Sequence, residues 1–466
     1  MSATSLPFSA ASPGSSSPSS PSSSGGSDAP APASDSGSTS ASARPTSTRR
    51  TLVGTGIGKA IEWLDWSIYS SFAPFFAASF FVSTDPVSAF LSTLAVFAVG
   101  FVARPLGGLL FGRVSDRLGR KRALAMTVAL GAFASLIIAI APSYAMVGVF
   151  ASVLLFVARV LQGLAHGGEQ PAAQAYLAEA APPERRGLWS TLIYFSGTIG
   201  ANVGLVLAAV LSAKLGRADM IAWGWRIAFV IGALGGLFAL YMRSRMSETE
   251  EFARTEATIA QDRPSLAHEM WVHRRSAFQV IGMTVGLTVS YYLWAVAAAG
   301  YSIAVLKADP TQTLIASVAA NTLFLLWLPL WGILSDRIGR KPVMLIGIVG
   351  LIALCIPLSA MIDGTPMKLF LAMTIAQVFV AAPCAITPAI MCEIFPTRIR
   401  TIGVALPLSV AIAIFGGTSL YLQTYLTRAY GPQAFSYYVI ALLLVSAATV
   451  LTLPETRGRV LTDETA

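Results

Sequence analysis

Long apolar runs alternate with short polar interruptions through nearly the whole chain. Counted from the first interruption, six runs cover 52–81, 88–112, 122–141, 146–178, 187–212 and 224–243. Six more cover 277–305, 311–333, 342–361, 368–394, 400–426 and 434–453. A helix of about 20 residues spans the ~30 Å hydrocarbon core of a bilayer, so each run predicts one membrane-crossing helix. The polar stretch from Arg243 to Arg275, rich in Arg, Glu and Gln, separates the sixes and reads as a linker. Residues 1–48 are Ser, Ala, Pro and Gly with almost no large apolar side chain, a composition that cannot bury a core. The expected organisation is a disordered tail (1–48), a six-helix bundle (49–243), a linker (244–275), a second bundle (276–454) and a short tail (455–466).

The loops set the expected orientation. Arg113, Arg117, Arg120, Lys121 and Arg122 lie in one, Arg185 and Arg186 in the next but one, then come the linker, Arg337, Arg340 and Lys341, Arg398 and Arg400, and Arg457 and Arg459. The alternate loops carry few basic residues: Lys214, Arg217, Lys307, Lys368 and Arg428. Basic loops stay on the cytoplasmic side, which predicts a multi-pass inner-membrane protein with both termini in the cytoplasm.

Part of the sequence occurs twice. Gly112, Asp116, Arg117, Gly119 and Arg120 recur at the same spacing as Gly332, Asp336, Arg337, Gly339 and Arg340. Glu179-Ala-Ala-Pro-Pro-Glu-Arg-Arg-Gly187 resembles Glu393-Ile-Phe-Pro-Thr-Arg-Ile-Arg400, and Glu248-Thr249 echoes Glu455-Thr456. An even number of spans per repeat keeps both halves in one orientation, a parallel repeat typical of secondary transporters.

Composition agrees and narrows the alternatives. The 466 residues are 55% hydrophobic and 12% charged, about half the charged share of a soluble domain. The net charge of +9 is accounted for by the cytoplasmic loops rather than by nucleic acid. Cys355, Cys384 and Cys392 offer no disulfide or metal framework and are expected only to pack. The chain has no P-loop, no H-E-x-x-H set and no selectivity-filter repeat, so neither enzyme, ATP-driven pump nor channel is expected, and neither cofactor nor metal.

The repeated loop resembles the signature between helices 2 and 3 of the major facilitator superfamily, and Arg159, Gly163 and Gly167 resemble its helix 4 motif. Glu62-Trp63-Leu64-Asp65, Arg104-Pro105-Leu106-Gly107-Gly108, Gly167-Gly168-Glu169 and Trp223-Gly224-Trp225-Arg226 resemble the metabolite:proton symporter branch. Arg400 to Gly417 is most similar to the α-ketoglutarate permeases, while Tyr291-Tyr292-Leu293-Trp294 departs from the branch. The resemblance implies an all-α membrane protein of twelve transmembrane helices in two bundles related by pseudo-two-fold symmetry. It further implies a monomer moving a small molecule with protons, and a repeated loop that latches the cytoplasmic side.

Ionisable residues inside spans are costly, so each is a candidate functional residue. Glu62, Asp65 and Tyr69 share a face of helix 1; Arg159, Gln162, His166 and Glu169 share a face of helix 4. Arg104 and Arg159 offer planar forks suited to carboxylates. The expected substrate contacts are Arg104, Arg159, Tyr69, Gln162, Tyr292 and Asn321, and the expected proton carriers Asp65, Glu62, Glu169 and His166. The cargo expected for proton-coupled symport is a dicarboxylate or keto acid such as α-ketoglutarate, with a zwitterion such as proline or betaine, or a shikimate-like or aromatic acid, as the alternative.

Overall fold

A computed structural model describes residues 48–82, 85–118, 120–167, 169–244, 271–396, 399–459 and 461. Most of the tail and linker residues 245–270 lie outside it, as do Gly119, the surroundings of Gly112, Asp116, Arg117 and Arg120, and the Glu169 side chain. Among the described residues the secondary structure is entirely helical, in twelve passages. They are α1 (Thr48–Phe80), α2 (Pro86–Leu118), α3 (Arg120–Ile140), α4 (Val149–Ala165 and Glu169–Ala180), α5 (Leu192–Asp219) and α6 (Trp225–Ser244). The second set is α7 (Arg274–Tyr291 to Ala298–Ala304), α8 (Pro310–Ile338), α9 (Arg340–Ala360), α10 (Pro366–Glu393), α11 (Arg400–Ala411 to Gly417–Tyr430) and α12 (Ala434–Thr452).

Eight described helical stretches are by themselves long and apolar enough to cross a bilayer, and one of these, Pro183–Tyr241, holds two successive passages. In lipid each backbone polar group must be satisfied within its own segment, which is why apolar runs of this length are helices. Their outer faces are apolar: Val102, Leu106 and Leu110 of α2 are exposed four residues apart, as are Leu234 and Phe238 of α6.

The packing repeats with a shift of six helices. α1 packs on α5, α2 on α4 and α3 on α6; α7 packs on α11, α8 on α10 and α9 on α12. Between the halves α5 meets α8 and α2 meets α11, two contacts that the same shift interchanges. This is the pseudo-two-fold arrangement expected from the repeated loop. Glycines allow the closest approaches: a Cβ at Gly163 of α4 would overlap the Gly100 carbonyl of α2, and one at Gly107 the Leu164 backbone.

Among the departures from continuous helix, those in α4, α7 and α11 bear on the site. α4 breaks at His166–Gly167, so Glu169 begins a new helix instead of continuing the face of Arg159, Gln162 and His166. The break falls where the chain runs closest to α2: a Cβ at Gly167 would overlap the Arg104 carbonyl. α7 and α11 contain π segments, Tyr292–Ala297 and Ile412–Gly416, a distortion often found at functional sites.

Candidate functional site

A cavity lies between the halves. α1, α2 and α5 supply one wall, and α7 and α11 the other. Its lining includes Trp63, Trp66, Phe101, Arg104, Tyr291 and Tyr292, with hydroxyls from Ser67, Ser70, Ser71 and Thr288. The π segments of α7 and α11 meet here: a Cβ at Gly416 would lie 2.9 Å from both Tyr292 and Thr288.

Arg104 is the one charged side chain on the described wall. Its Nη2 donates to Glu62 Oε1 at 2.8 Å, its guanidinium lies 4.5 Å from the Trp66 ring centre, and its Nε is buried with no hydrogen-bond partner among the described residues. Glu62 accepts a second ion pair, from Lys59 at 2.7 Å. Lys59 is almost fully buried and was not among the residues expected at the site, although a lysine one turn before Glu62 is visible in the sequence.

Behind this wall lies a second cluster. Asp65 accepts from Ser135 Oγ at 2.6 Å and from Gln162 Nε2 at 3.0 Å, with His166 Nε2 at 3.4 Å. Gln162 also accepts from Arg159 Nη1 at 2.7 Å, so one amide joins the arginine to the acid. Arg159 is completely buried, its guanidinium 4.4 Å from the Trp66 ring centre and 4.2 Å from that of Tyr69. Its Nε and Nη2 find no hydrogen-bond partner among the described residues. The Tyr69 hydroxyl is occupied by the Thr93 carbonyl at 3.0 Å.

Of the expected substrate contacts, therefore, Arg104 and Tyr292 line the cavity, whereas Tyr69, Arg159 and Gln162 stand behind it. Asn321 is also off the wall. It donates to the Ala295 carbonyl at 3.2 Å and accepts from Gln377 at 2.6 Å, while Gln377 donates to the Trp294 carbonyl at 3.1 Å. Both amides thus bind carbonyls of the α7 π segment, where the backbone ladder is displaced by one residue.

The loop face joins the halves through polar contacts. Asp336 accepts from the Gly187 and Leu188 amides at 2.8 and 2.9 Å, and from Arg340 at 2.7 Å. Gly187 is needed there, since a Cβ would lie 2.7 Å from the carboxylate. Arg186 pairs with Glu393 at 3.1 Å and Arg400 with Glu179 at 2.6 Å, reciprocal bonds between the two copies of the second motif. Arg337 is exposed, and Gly339 takes a positive φ of 107° in the turn between α8 and α9. At the opposite face Arg428 pairs with Asp85, again across the halves.

Comparison with known proteins fits this architecture. Residues 55–307 match the Major Facilitator Superfamily, and residues 269–465 the Sugar (and other) transporter family. The chain is 33% identical to the alpha-ketoglutarate permease of Escherichia coli K12 over 87% of its own length and 95% of that protein's. It is 29% identical to the proline/betaine transporter of Salmonella typhimurium, over 90% and 85%. Among solved structures, a D-xylose–proton symporter superposes with a TM-score of 0.67 at 20% identity, covering 88% of this chain and 99% of that one. A shared fold, a cavity between paired halves and a match over more than half the chain agree: this is a multi-pass membrane transporter belonging to the major facilitator superfamily.

Proposed function

We propose that the protein is a proton-coupled symporter of a small organic acid, working as a monomer in the inner membrane with both termini in the cytoplasm. The observation that carries this reading is the division of labour between two acids on α1. Glu62 is held by Lys59 and by the wall arginine Arg104, whereas Asp65 is held by a hydroxyl, an amide and an imidazole. Asp65 has no lysine or arginine partner among the described residues, so neutralising it breaks no such ion pair. A substrate carboxylate arriving at Arg104 competes with Glu62 for the guanidinium and alters the field at Asp65 one turn away. Asp65, with His166 beside it, takes the proton, and Arg159 acts on it through Gln162. Asp336, Arg340 and the reciprocal Arg186–Glu393 and Arg400–Glu179 pairs close the loop face while the cavity is exposed on the other. Asp116, Arg117 and Arg120 perform the equivalent task in the first copy.

The relatives support an acid or a zwitterion as cargo, since one is an alpha-ketoglutarate permease and another a proline/betaine transporter. The aromatic wall is what favours the second reading.

Asp65→Asn tests the coupling. In proteoliposomes this variant should still exchange substrate in counterflow but lose accumulation driven by an imposed proton gradient. If it concentrates substrate as the parent does, Asp65 is not the coupling acid and Glu169 becomes the next to test. If Glu169→Gln also accumulates normally, coupling by a single acid is excluded.

A further inference from the structure

We infer that the preferred cargo is a monocarboxylate bearing an aromatic ring, rather than a dicarboxylate or a betaine. The inference deepens the proposed function and rests on it. A dicarboxylate would need two cationic anchors, and Arg104 is the one charged side chain on the described wall. The second internal arginine, Arg159, is sealed behind Trp66 and Tyr69. A second carboxylate would face hydroxyls and rings, which leaves its charge poorly compensated.

The remaining wall is aromatic to an unusual degree. Seven of its seventeen residues are Phe, Trp or Tyr, against 10% of the chain. Trp63, Tyr194 and Tyr291 meet edge-to-face, with ring centres 5.4–5.9 Å apart. Such a cluster offers ring edges and faces to a further ring. Both halves contribute, so a ring in the cavity would touch Trp63 on α1 and Tyr291 on α7 together.

Aromatic walls also suit quaternary ammonium groups, but here nearby rings already face protein cations. Arg104 lies over Trp66 and Phe101, Arg159 over Trp66, Tyr69 and Phe97, and Lys59 Nζ is 5.7 Å from the Trp63 ring centre. Among the described side chains of this cluster the cations Lys59, Arg104 and Arg159 outnumber the acids Glu62 and Asp65. A cationic head would enter a region already carrying positive charge, whereas a single carboxylate would relieve it.

A matched set of probes separates the possibilities: phenylpyruvate, pyruvate without the ring, α-ketoglutarate with a second carboxylate, and glycine betaine with a cationic head. Each is measured for thermal stabilisation of the purified transporter and for uptake into proteoliposomes, with protein-free liposomes subtracted. Phenylpyruvate should bind at least ten-fold more tightly than the other three. Tyr291→Leu, and independently Tyr292→Leu, should reduce its preference over pyruvate by roughly three- to ten-fold, the range of a lost aromatic contact. Tighter binding of α-ketoglutarate or betaine overturns the inference, yet leaves proton coupling standing if uptake of that probe follows the pH gradient. Stabilisation by none of the four, or binding of pyruvate as tight as that of phenylpyruvate, overturns the inference.

Discussion

The two halves pair their helices in the same order but fill their interiors with different chemistry. In the first, Lys59, Glu62 and Arg159 are buried within α1 and α4, and Arg104, Asp65 and His166 complete a charged interior. In the second, the buried charges Arg340, Glu393 and Arg400 sit at helix ends on the loop face. The buried amides within its helices, Asn321 and Gln377, are neutral and bind backbone carbonyls. Equal scaffolds with unequal interiors indicate that the fold does not require the charges. What they cost in desolvation must be offset by function in the first half, while the second half holds the π segment that presents Tyr291 and Tyr292 to the cavity.

The sharpest way to break this comparison is Arg159→Met. A buried charge is costly to desolvate, so an apolar side chain of similar length can replace it without loss of stability where no ion pair is broken, and two of the guanidinium nitrogens of Arg159 have no hydrogen-bond partner to lose among the described residues. Its one amide link leads to Gln162 and so to Asp65. Proton-driven accumulation should fall by about 100-fold, ~2.8 kcal/mol at 1.4 kcal/mol per factor of ten, while the melting temperature stays within a few degrees. Unfolding of the variant with transport lost in proportion would make Arg159 a structural residue and erase the contrast between the halves.

The twelve passages were legible because each is a long apolar run, and the pseudo-symmetry because the Gly-Asp-Arg-Gly-Arg loop occurs twice. The acids on α1 were legible as a shared face, and the contact of Asp65 with Gln162 and His166 follows from two such faces meeting. Three things were hidden. Helical projection assumes a continuous helix, so Glu169 was assigned to a face that α4 abandons at His166–Gly167; the Gly167–Gly168 pair was the available signal. Nothing in spacing told that Arg159 would lie behind Trp66 while Arg104 reached the cavity. The π segments of α7 and α11 depend on tertiary partners, Asn321 and Gln377 for α7, far away in sequence. That dependence also explains why Asn321, a polar residue in an apolar span, reads as a substrate contact until its partners are known.

A smaller and opposite effect is expected in the second half. Gln377→Leu removes the amide from the Trp294 carbonyl and from Asn321. Losing buried hydrogen bonds of this kind costs about 1–3 kcal/mol, so the variant should unfold at a measurably lower temperature in detergent. Its ratio of accumulation to counterflow should match the parent, because no proton-carrying group is touched. A change in that ratio with stability intact would assign coupling to both halves.

The smallest expected effect concerns what the halves share. Glu455, beyond the end of α12, accepts from the Arg340 and Lys341 amides at 2.8 and 3.1 Å, and from those of Thr456 and Arg457 at 3.0 Å each. It thus binds amides in the first turn of α9, where a negative charge is favourable. Burial pushes its carboxyl up, but the four amide bonds outweigh burial and hold it below the usual glutamate range. A depressed folded value means the contribution is fully present above the ordinary glutamate value of about 4.3 and is lost as pH falls through the folded value. The site is partly exposed, so screening keeps the contribution small. Glu455→Gln keeps one acceptor oxygen and should speed hydrogen exchange at the Arg340 and Lys341 amides by roughly two- to five-fold, on the scale of one weakened surface bond. The parent should show no such change between pH 8 and 5 once intrinsic exchange is divided out. Glu248, the residue that the repeat aligns with Glu455, lies outside the described residues. If the loop scheme is common to both halves, Glu248→Gln should accelerate exchange in the first turn of α3 to the same extent. Acceleration in only one half would show that the asymmetry of the interiors extends to the loops.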